Sequence, residues 1–125
     1  EVDILVEVIG TMIGQVQAGD VKALGITTAG RHPALPDVAT VSEAGYDYEV
    51  AGWYGISFPA GTSPEIVAKA NELIARVVAK NEVKARLLES GLVVKTSTPA
   101  EFQTFLADEV TTWNSARETA GIPQR

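Results

Sequence analysis

The chain has 125 residues, of which 46% are hydrophobic and 21% charged, and this is the composition of a folded globular domain. Its formal net charge of −6 argues against a nucleic-acid surface, because such surfaces need clustered Lys and Arg to displace counterions. The absence of cysteine excludes disulfides, thiolate nucleophiles and cysteine-ligated zinc.

The first 28 residues have the pattern of a strand, a helix and a second strand. Val2–Val6 is a short apolar run that predicts a buried strand, and Lys22–Thr28 predicts another. Between them Ile9–Ala18 predicts a short helix, for which Gly19 is the C-terminal stop. Because the span is so short, we expect a βαβ unit with two parallel strands. The apolar face of the helix comprises Ile9, Met12, Ile13 and Val16.

The next segment combines a proline-rich loop with a short helix. Arg31–Val38 predicts a loop, since each of its two prolines fixes φ and disfavours helix in the residue before it. Residues 40–44 predict a short helix, because Thr40 and Glu43 have the spacing of a capping box. Gly45 is its predicted stop.

An aromatic and β-branched run, Tyr46–Phe58, predicts an extended segment interrupted by glycines. Trp53 and Tyr54 lie between Gly52 and Gly55, and two interpretations stay open. In one, strand alternation places one ring in the core and the other on the surface. In the other, the four residues form a hinge in which the glycines absorb changes in dihedral angle.

Helical signals dominate the second half of the chain. Ser63 followed by Pro64 predicts the N-cap and first residue of a helix that continues to about Lys80. Asn81 is the predicted cap of a second helix, which ends at Gly91.

A short strand at 92–95 precedes a capping box formed by Thr98 and Glu101, which predicts a last helix ending at Gly121. The predicted buried residues of these three helices are Ile66, Ala70, Leu73, Ile74, Val77, Val83, Leu87, Leu88, Phe102, Phe105, Leu106, Trp113 and Ala116.

Motifs for catalysis, nucleotide binding and metal binding are absent from the sequence. The single histidine, His32, has no cysteine or serine motif near it, and we interpret it as a solvated loop side chain. Asp3 and Glu7 are interpreted as a solvated acid and a loop acid, not as a carboxylate pair that shares one site. The sequence therefore predicts no catalytic residue, no metal ligand and no cofactor.

Several motifs, in order and with matching separations, resemble the C-terminal half of one receptor family. They are GDVKALGIT at 19–27, LPDV at 35–38, TVSEAG at 40–45, WYG at 53–55 and PAGT at 59–62. The chain is similar in these motifs to the Bug family, the extracytoplasmic solute receptors of tripartite tricarboxylate transporters. It departs from the family pattern at Ala39, Ser63 and Asn81, where proline is usual, and at Val6–Val8, where an aromatic residue and an aspartate are usual.

The resemblance implies an α/β fold, part of a two-lobe periplasmic-binding-protein-like fold of type II. In it a parallel βαβ unit is followed by a mostly helical C-terminal segment. Residues 1–48 would be the C-terminal part of the second α/β lobe, 49–58 the crossing strand or hinge, and 59–125 the C-terminal helical part of the first lobe. The sheets of an isolated segment would be incomplete, so we expect self-association or a missing N-terminal half.

The resemblance also implies a non-catalytic solute-binding protein, or its C-terminal fragment. It would capture a small organic acid in the periplasm and deliver it to the membrane permease subunits of the transporter. Export would use a signal peptide that this chain lacks. The alternatives are a small α/β enzyme fragment, or an interaction module, whose chemistry lies on a missing partner segment.

Ligand contacts are expected at the ends of the two predicted strands, because open parallel sheets bind ligands outside the carboxyl ends of their strands. The expected ligand-binding residues are Glu7, Gly10, Thr11, Thr27 and Thr28. The expected hinge residues are Gly52, Trp53, Tyr54 and Gly55.

Overall fold

Four helices and a series of hydrogen-bonded turns make up the protein, whose structure is a computed structural model that describes residues 2–124. The helices are α1 (Ile9–Ala18), α2 (Pro64–Val78), α3 (Asn81–Glu89) and α4 (Pro99–Thr119). They belong to two compact units. Unit 1 consists of Glu1–Ser57 and Val78–Val94, and unit 2 consists of Phe58–Val77 and Lys95–Arg125.

The two units divide the chain differently from the predicted segments 1–48, 49–58 and 59–125. The first break falls at Ser57, so the whole predicted crossing segment up to that residue lies in unit 1. The chain returns to unit 1 at Val78–Val94, which includes α3. That these units correspond to the lobes of a larger fold stays a prediction. Glu1 and Arg125 lie outside the described residues.

Helix α1 has the predicted bounds, and its apolar stripe is its buried side. Ile13 is only 8% exposed, and the other three residues of the stripe are half-buried. Gly19 ends the helix in the left-handed region with φ of 82°, where glycine lacks the steric penalty of a Cβ. The 3.6-residue periodicity therefore identified both the helix and its face.

The prediction of a parallel strand pair is wrong for the residues that the structure describes. Neither Val2–Val6 nor Lys22–Thr28 forms a strand, and within 2–124 the only β pairing is one isolated parallel bridge between Ile26 and Thr40. The run 92–95 is also unpaired. A strand is defined by its neighbour, and an apolar run supplies only one of the two partners.

Several side chains of the first run are exposed, and Val6 reaches 88% exposure. The apolar run lacks the cover that parallel strands require. Self-association or cover by further chain stays a prediction, and native mass spectrometry tests it.

Residues 40–45 form a single hydrogen-bonded turn instead of the predicted short helix. The predicted capping box is present: the Glu43 amide donates to Thr40 Oγ1 at 3.1 Å, and the Thr40 amide donates to Glu43 Oε2 at 2.7 Å. Gly45, with φ of 92°, ends the turn as predicted. The stop follows the start so closely that only one helical turn fits between them.

The second half contains the predicted helices with small changes at their ends. Helix α3 begins at Asn81 with Lys80 as its N-cap and no side-chain cap, so the predicted capping role of Asn81 is wrong by one position. Helix α4 begins with the predicted capping box of Thr98 and Glu101 and has proline in its first turn. A helix start is specified locally, because its free amides need nearby acceptors.

In α2 the half-buried face is rotated from the predicted one. The half-buried residues Val67, Ala70, Ile74 and Val78 follow helical spacing, and Asn71 on the same side donates through Nδ2 to the Ser97 carbonyl at 2.9 Å. Three residues predicted as buried, Ile66, Leu73 and Val77, are exposed. Helix α2 therefore has two apolar faces, and periodicity alone does not tell which one becomes half-buried.

Helix α4 is more exposed than predicted. Phe102 and Leu106 are half-buried, whereas Phe105, Trp113 and Ala116 are exposed. The two phenylalanine rings of its first turns stack with centroids 6.1 Å apart. No helix within residues 2–124 is long and apolar enough to cross a membrane.

Candidate functional site

Three of the expected ligand-binding residues surround the first turn of α1. The Glu7 carboxylate accepts a hydrogen bond from the Val8 amide at 2.8 Å. The Thr11 hydroxyl donates to the Val8 carbonyl at 2.7 Å, which ties the first turn to the residue that precedes it. The amides of Ile9 and Gly10 donate to no other described residue. They are therefore available to an acceptor outside this part of the chain.

The other two expected residues lie at the end of the second predicted strand. The Thr27 hydroxyl donates to the Val50 carbonyl at 2.7 Å, and the Val50 amide donates to the Thr27 carbonyl at 2.8 Å. The Thr28 hydroxyl donates to the Gly30 carbonyl at 2.7 Å. Both threonines are half-buried. Thr27 thus holds the start of the aromatic segment through two hydrogen bonds.

The same short piece of the aromatic segment reaches both groups of residues. Val50 bonds to Thr27, and the position of a Cβ at Gly52 would be 3.7 Å from a methyl group of Val8. Because Val50 and Gly52 are two residues apart, their Cα atoms are at most about 7 Å from each other. The segment 50–52 therefore places the end of the second predicted strand near the first turn of α1.

The donors and acceptors of these five residues are unevenly distributed. All three threonine hydroxyls donate to backbone carbonyls, so in this conformation they present only acceptor lone pairs. Glu7 is also an acceptor when ionised. A carboxylate ligand needs donors. The donors that this region offers without rearrangement are the amides of Ile9, Gly10, Thr27 and Thr28, which donate to no other described residue.

Nothing in the sequence indicates that the end of α3 lies beside this region. A Cβ at Gly10 would lie 2.6 Å from the Ser90 carbonyl oxygen, and a Cβ at Gly91 would lie 2.8 Å from the Gly10 nitrogen. Gly91 is buried. The sequence predicted Gly91 as a helix stop. Neighbouring residues in the sequence do not show which other element packs against that stop.

The expected hinge residues have exposed aromatic rings. Trp53 is 42% exposed and Tyr54 is 80% exposed, so neither ring is buried and the interpretation that one is a core residue is wrong for this structure. The segment 46–58 forms neither helix nor strand. Its role as a hinge stays a prediction.

His32 is buried, which corrects its interpretation as a solvated side chain. It is 8% exposed, its Nδ1 accepts from the Ala34 amide at 3.2 Å, and its Nε2 has no hydrogen-bond partner within the described residues. The two prolines of the loop give no sign of this burial in the sequence. The ring supports the loop by accepting the Ala34 amide through Nδ1.

An ion pair closes the same loop. Arg31 donates through Nε to both oxygens of Glu43, at 2.9 and 3.1 Å, and through Nη1 to the Pro36 carbonyl at 3.0 Å. These bonds from Arg31, together with the Thr40 amide, hold the pKa of the Glu43 carboxyl below its ordinary value. The same pairing raises the pKa of Arg31.

No cluster of three or more His, Cys, Asp or Glu side chains suited to a metal ion occurs between residues 2 and 124.

Comparison with known proteins gives the class of protein to which this chain belongs. The family model described as "Tripartite tricarboxylate transporter family receptor" matches residues 1–122. The chain therefore belongs to this family of transporter receptors.

Similar proteins agree with this assignment. The chain is 30% identical over 114 residues to a UPF0065 protein of Pseudomonas sp. (strain P51), covering 90% of this chain and 34% of that protein. It is 29% identical over 116 residues to Protein BugT of Bordetella pertussis, covering 91% of this chain and 36% of that protein. The resemblance to the Bug family is thus confirmed.

A solved structure, R. palustris Rpa4515 with adipate, superimposes with a TM-score of 0.81 and 31% sequence identity. It covers 90% of this chain and 38% of the R. palustris chain. The chain spans about a third of the length of the relatives it matches.

Proposed function

We propose that this chain is part of a non-catalytic, extracytoplasmic solute-binding protein that captures a small organic acid for a tripartite tricarboxylate-type transporter. The observation that carries the proposal is the family match over residues 1–122. Membrane permease subunits are the proposed recipients of the solute, and the periplasm is the proposed location.

The ligand region that we propose comprises the first turn of α1 and the end of the second predicted strand. Glu7, Gly10 and Thr11 contribute from α1, and Thr27 and Thr28 contribute from the strand end. Support comes from the free amides of the α1 turn and from segment 50–52, which connects the two groups. An anion gains from these amides because the helix N-terminus carries partial positive charge.

A dicarboxylate is the proposed ligand class, because a similar structure was solved with adipate. The net charge of −6 does not favour long-range attraction of such a ligand. Short-range donors therefore have to supply the affinity. Glu7 favours acids that also carry a hydroxyl or ammonium group, since its carboxylate only accepts hydrogen bonds when ionised.

Isothermal titration calorimetry of the 125-residue chain with adipate, malate, citrate and glutamate tests the proposal. We expect heat of binding from at least one acid. NMR of the mixture should show that this acid remains chemically unchanged. A ligand at about 100 times its Kd adds about 2.7 kcal/mol to the free energy of unfolding, so the melting temperature rises as well. Absence of both signals with every acid contradicts ligand capture by this chain.

Matched threonine variants locate the site. Thr28→Val removes a hydroxyl of the proposed region, and Thr104→Val removes one from α4 that also donates to a backbone carbonyl, at 3.2 Å. We expect weaker binding for Thr28→Val, because the hydrogen bond from its hydroxyl to the Gly30 carbonyl holds the backbone at this end of the proposed region. Binding should be unchanged for Thr104→Val. Equal affinities of the two variants would place the ligand elsewhere.

A further inference from the structure

The one ionisable side chain that is buried in the described part of the chain is His32, in the loop Arg31–Val38. Its exposed fraction is 8%. Its Nδ1 accepts a hydrogen bond from the Ala34 amide at 3.2 Å, and its carbonyl oxygen accepts one from the Leu35 amide at 2.9 Å. The side chain and the backbone of His32 therefore both hold the turn at residues 32–35.

The hydrogen bond from Ala34 fixes the protonation state of the ring. A backbone amide can only donate, so Nδ1 is the unprotonated nitrogen and the imidazole is neutral, with its proton on Nε2. Nε2 is itself buried and has no hydrogen-bond partner within the described residues. A second proton would have to bind at Nδ1, where it would face the N–H of Ala34. The protonated ring therefore cannot keep this hydrogen bond.

The charged groups around the loop do not compensate a buried imidazolium. Arg31 is itself a cation, its Nε donates to both oxygens of Glu43, and Asp37 attracts the same guanidinium. Neither carboxylate forms a hydrogen bond or an ion pair with the imidazole. The stretch that follows the loop, Ala39–Val41, and its bridge partner Ile26 carry no charge. A charge buried without an ionic partner is costly.

We propose that His32 is a pH-sensitive switch, which holds the loop Arg31–Val38 closed while its ring is neutral and releases the loop when the ring is protonated. The proposal goes beyond solute capture and does not depend on it. In an unfolded chain histidine takes up a proton at about pH 6.5. Below this pH the unfolded chain binds a proton that the folded loop excludes, so the free energy of unfolding decreases as the pH falls.

The effect of the switch extends to the parallel bridge of unit 1. Arg31, at the start of the loop, bonds to Glu43, whose carboxylate accepts the Thr40 amide at 2.7 Å. Thr40 is the bridge partner of Ile26. Release of the loop therefore weakens the connection between the two stretches that form this bridge.

NMR of the unmodified chain tests the proposal without any substitution, because His32 is the single histidine of the 125 residues. During a titration from about pH 8 to about pH 5, ¹⁵N signals of the ring report its protonation. We expect the amide signals of Ala34 and Leu35 to move at the same pH as the ring signals, while the amide of Ala70 in α2 stays still. A ring that is protonated without movement of the Ala34 signal contradicts the proposal.

His32→Asn is the matched variant. The side-chain oxygen of asparagine can accept the amide two residues further on, as in an Asx turn, and the side chain does not titrate. Below about pH 6.5 we expect the unfolding equilibrium constant of the unmodified chain, measured with urea, to rise by up to about tenfold per pH unit. That of His32→Asn should stay constant down to about pH 5, where glutamates begin to be protonated.

Equal pH dependence of the two chains between these limits overturns the proposal, since the change would then come from groups other than His32. If His32→Asn does not fold, the NMR titration of the unmodified chain decides the question. Neither measurement uses a ligand, so failure of the switch and failure of the proposed function are distinguishable.

Discussion

The protein contains the same capping motif twice, with two different results. At Thr40 and Glu43 the capping box opens one turn that ends at Gly45, whereas at Thr98 and Glu101 it opens a helix of 21 residues. The reciprocal hydrogen bonds are nearly identical: 2.7 and 3.1 Å in the first box, and 2.7 and 3.2 Å in the second. The start signal is therefore equivalent, and the difference lies in what surrounds it.

The surroundings differ in burial and in contacts with distant residues. Thr40 is 2% exposed and lies in the parallel bridge with Ile26, and its partner Glu43 accepts two hydrogen bonds from Arg31. The second box lies on the surface, and within the described residues its side-chain hydrogen bonds join only Thr98 and Glu101. One motif thus ties a loop into unit 1, and the other only begins a helix in unit 2.

The largest expected difference comes from removing each threonine hydroxyl. We expect Thr40→Ala to lower the free energy of unfolding by about 2 kcal/mol, the upper end of cap effects, because the site is buried. Thr98→Ala should cost about 1 kcal/mol, as is typical of an exposed cap. Urea unfolding followed by circular dichroism measures both, with Thr40→Ser as the control that keeps the hydroxyl. Equal losses at the two sites would contradict the comparison.

Gly45 tests whether the stop ends the first turn. Gly45→Ala should lower the free energy of unfolding by about 1 kcal/mol, because alanine is strained at a φ of 92°. No atom lies within 4 Å of the Cβ position, so the cost comes from the backbone and not from a clash. Unchanged stability with higher helicity by circular dichroism would show that the turn extends once the stop is removed.

The role of Arg31 in the first box is measured by replacing it. Arg31→Gln should lower the urea midpoint and raise the pKa of Glu43 towards its ordinary value, as followed by NMR of the side-chain carboxyl. Arg76→Gln is the matched control, since Arg76 only approaches Glu72 at 3.8 Å on an exposed helix face. A Glu43 pKa that stays low without Arg31 would assign the shift to the Thr40 amide instead.

The smallest expected effect is a dependence on pH that both boxes share. The pKa values of Glu43 and Glu101 are lowered in the folded state, for Glu43 chiefly by Arg31 and for Glu101 chiefly by the Thr98 amide. A lowered folded-state pKa stabilises the fold above the unfolded-state pKa, and this stabilisation is lost as the pH falls through the folded-state pKa. We expect the urea concentration at the unfolding midpoint to decrease as the pH drops below about 5.

Substituting each glutamate separates the two contributions to this fall. Glu43→Gln and Glu101→Gln should each make the fall in urea midpoint shallower, because neither glutamine titrates. Glu43→Gln should have the greater effect, since its carboxylate also loses Arg31. Curves that match the unmodified chain would show that other acids control the acid transition.

The sequence by itself determined what depends on neighbouring residues along the chain. It specified the bounds and buried face of α1, both capping boxes, and the glycine stops at Gly19 and Gly45. It also carried the ordered motifs that identify the family. These features are local because a helix end is satisfied by groups within about four residues of it.

Only the tertiary structure decided which elements meet. The pairing of Ile26 with Thr40, the packing face of α2, the burial of His32 and the contact of Gly91 with Gly10 each depend on a partner distant in sequence. An apolar run or a glycine is compatible with many partners, and close packing of the folded chain selects one of them.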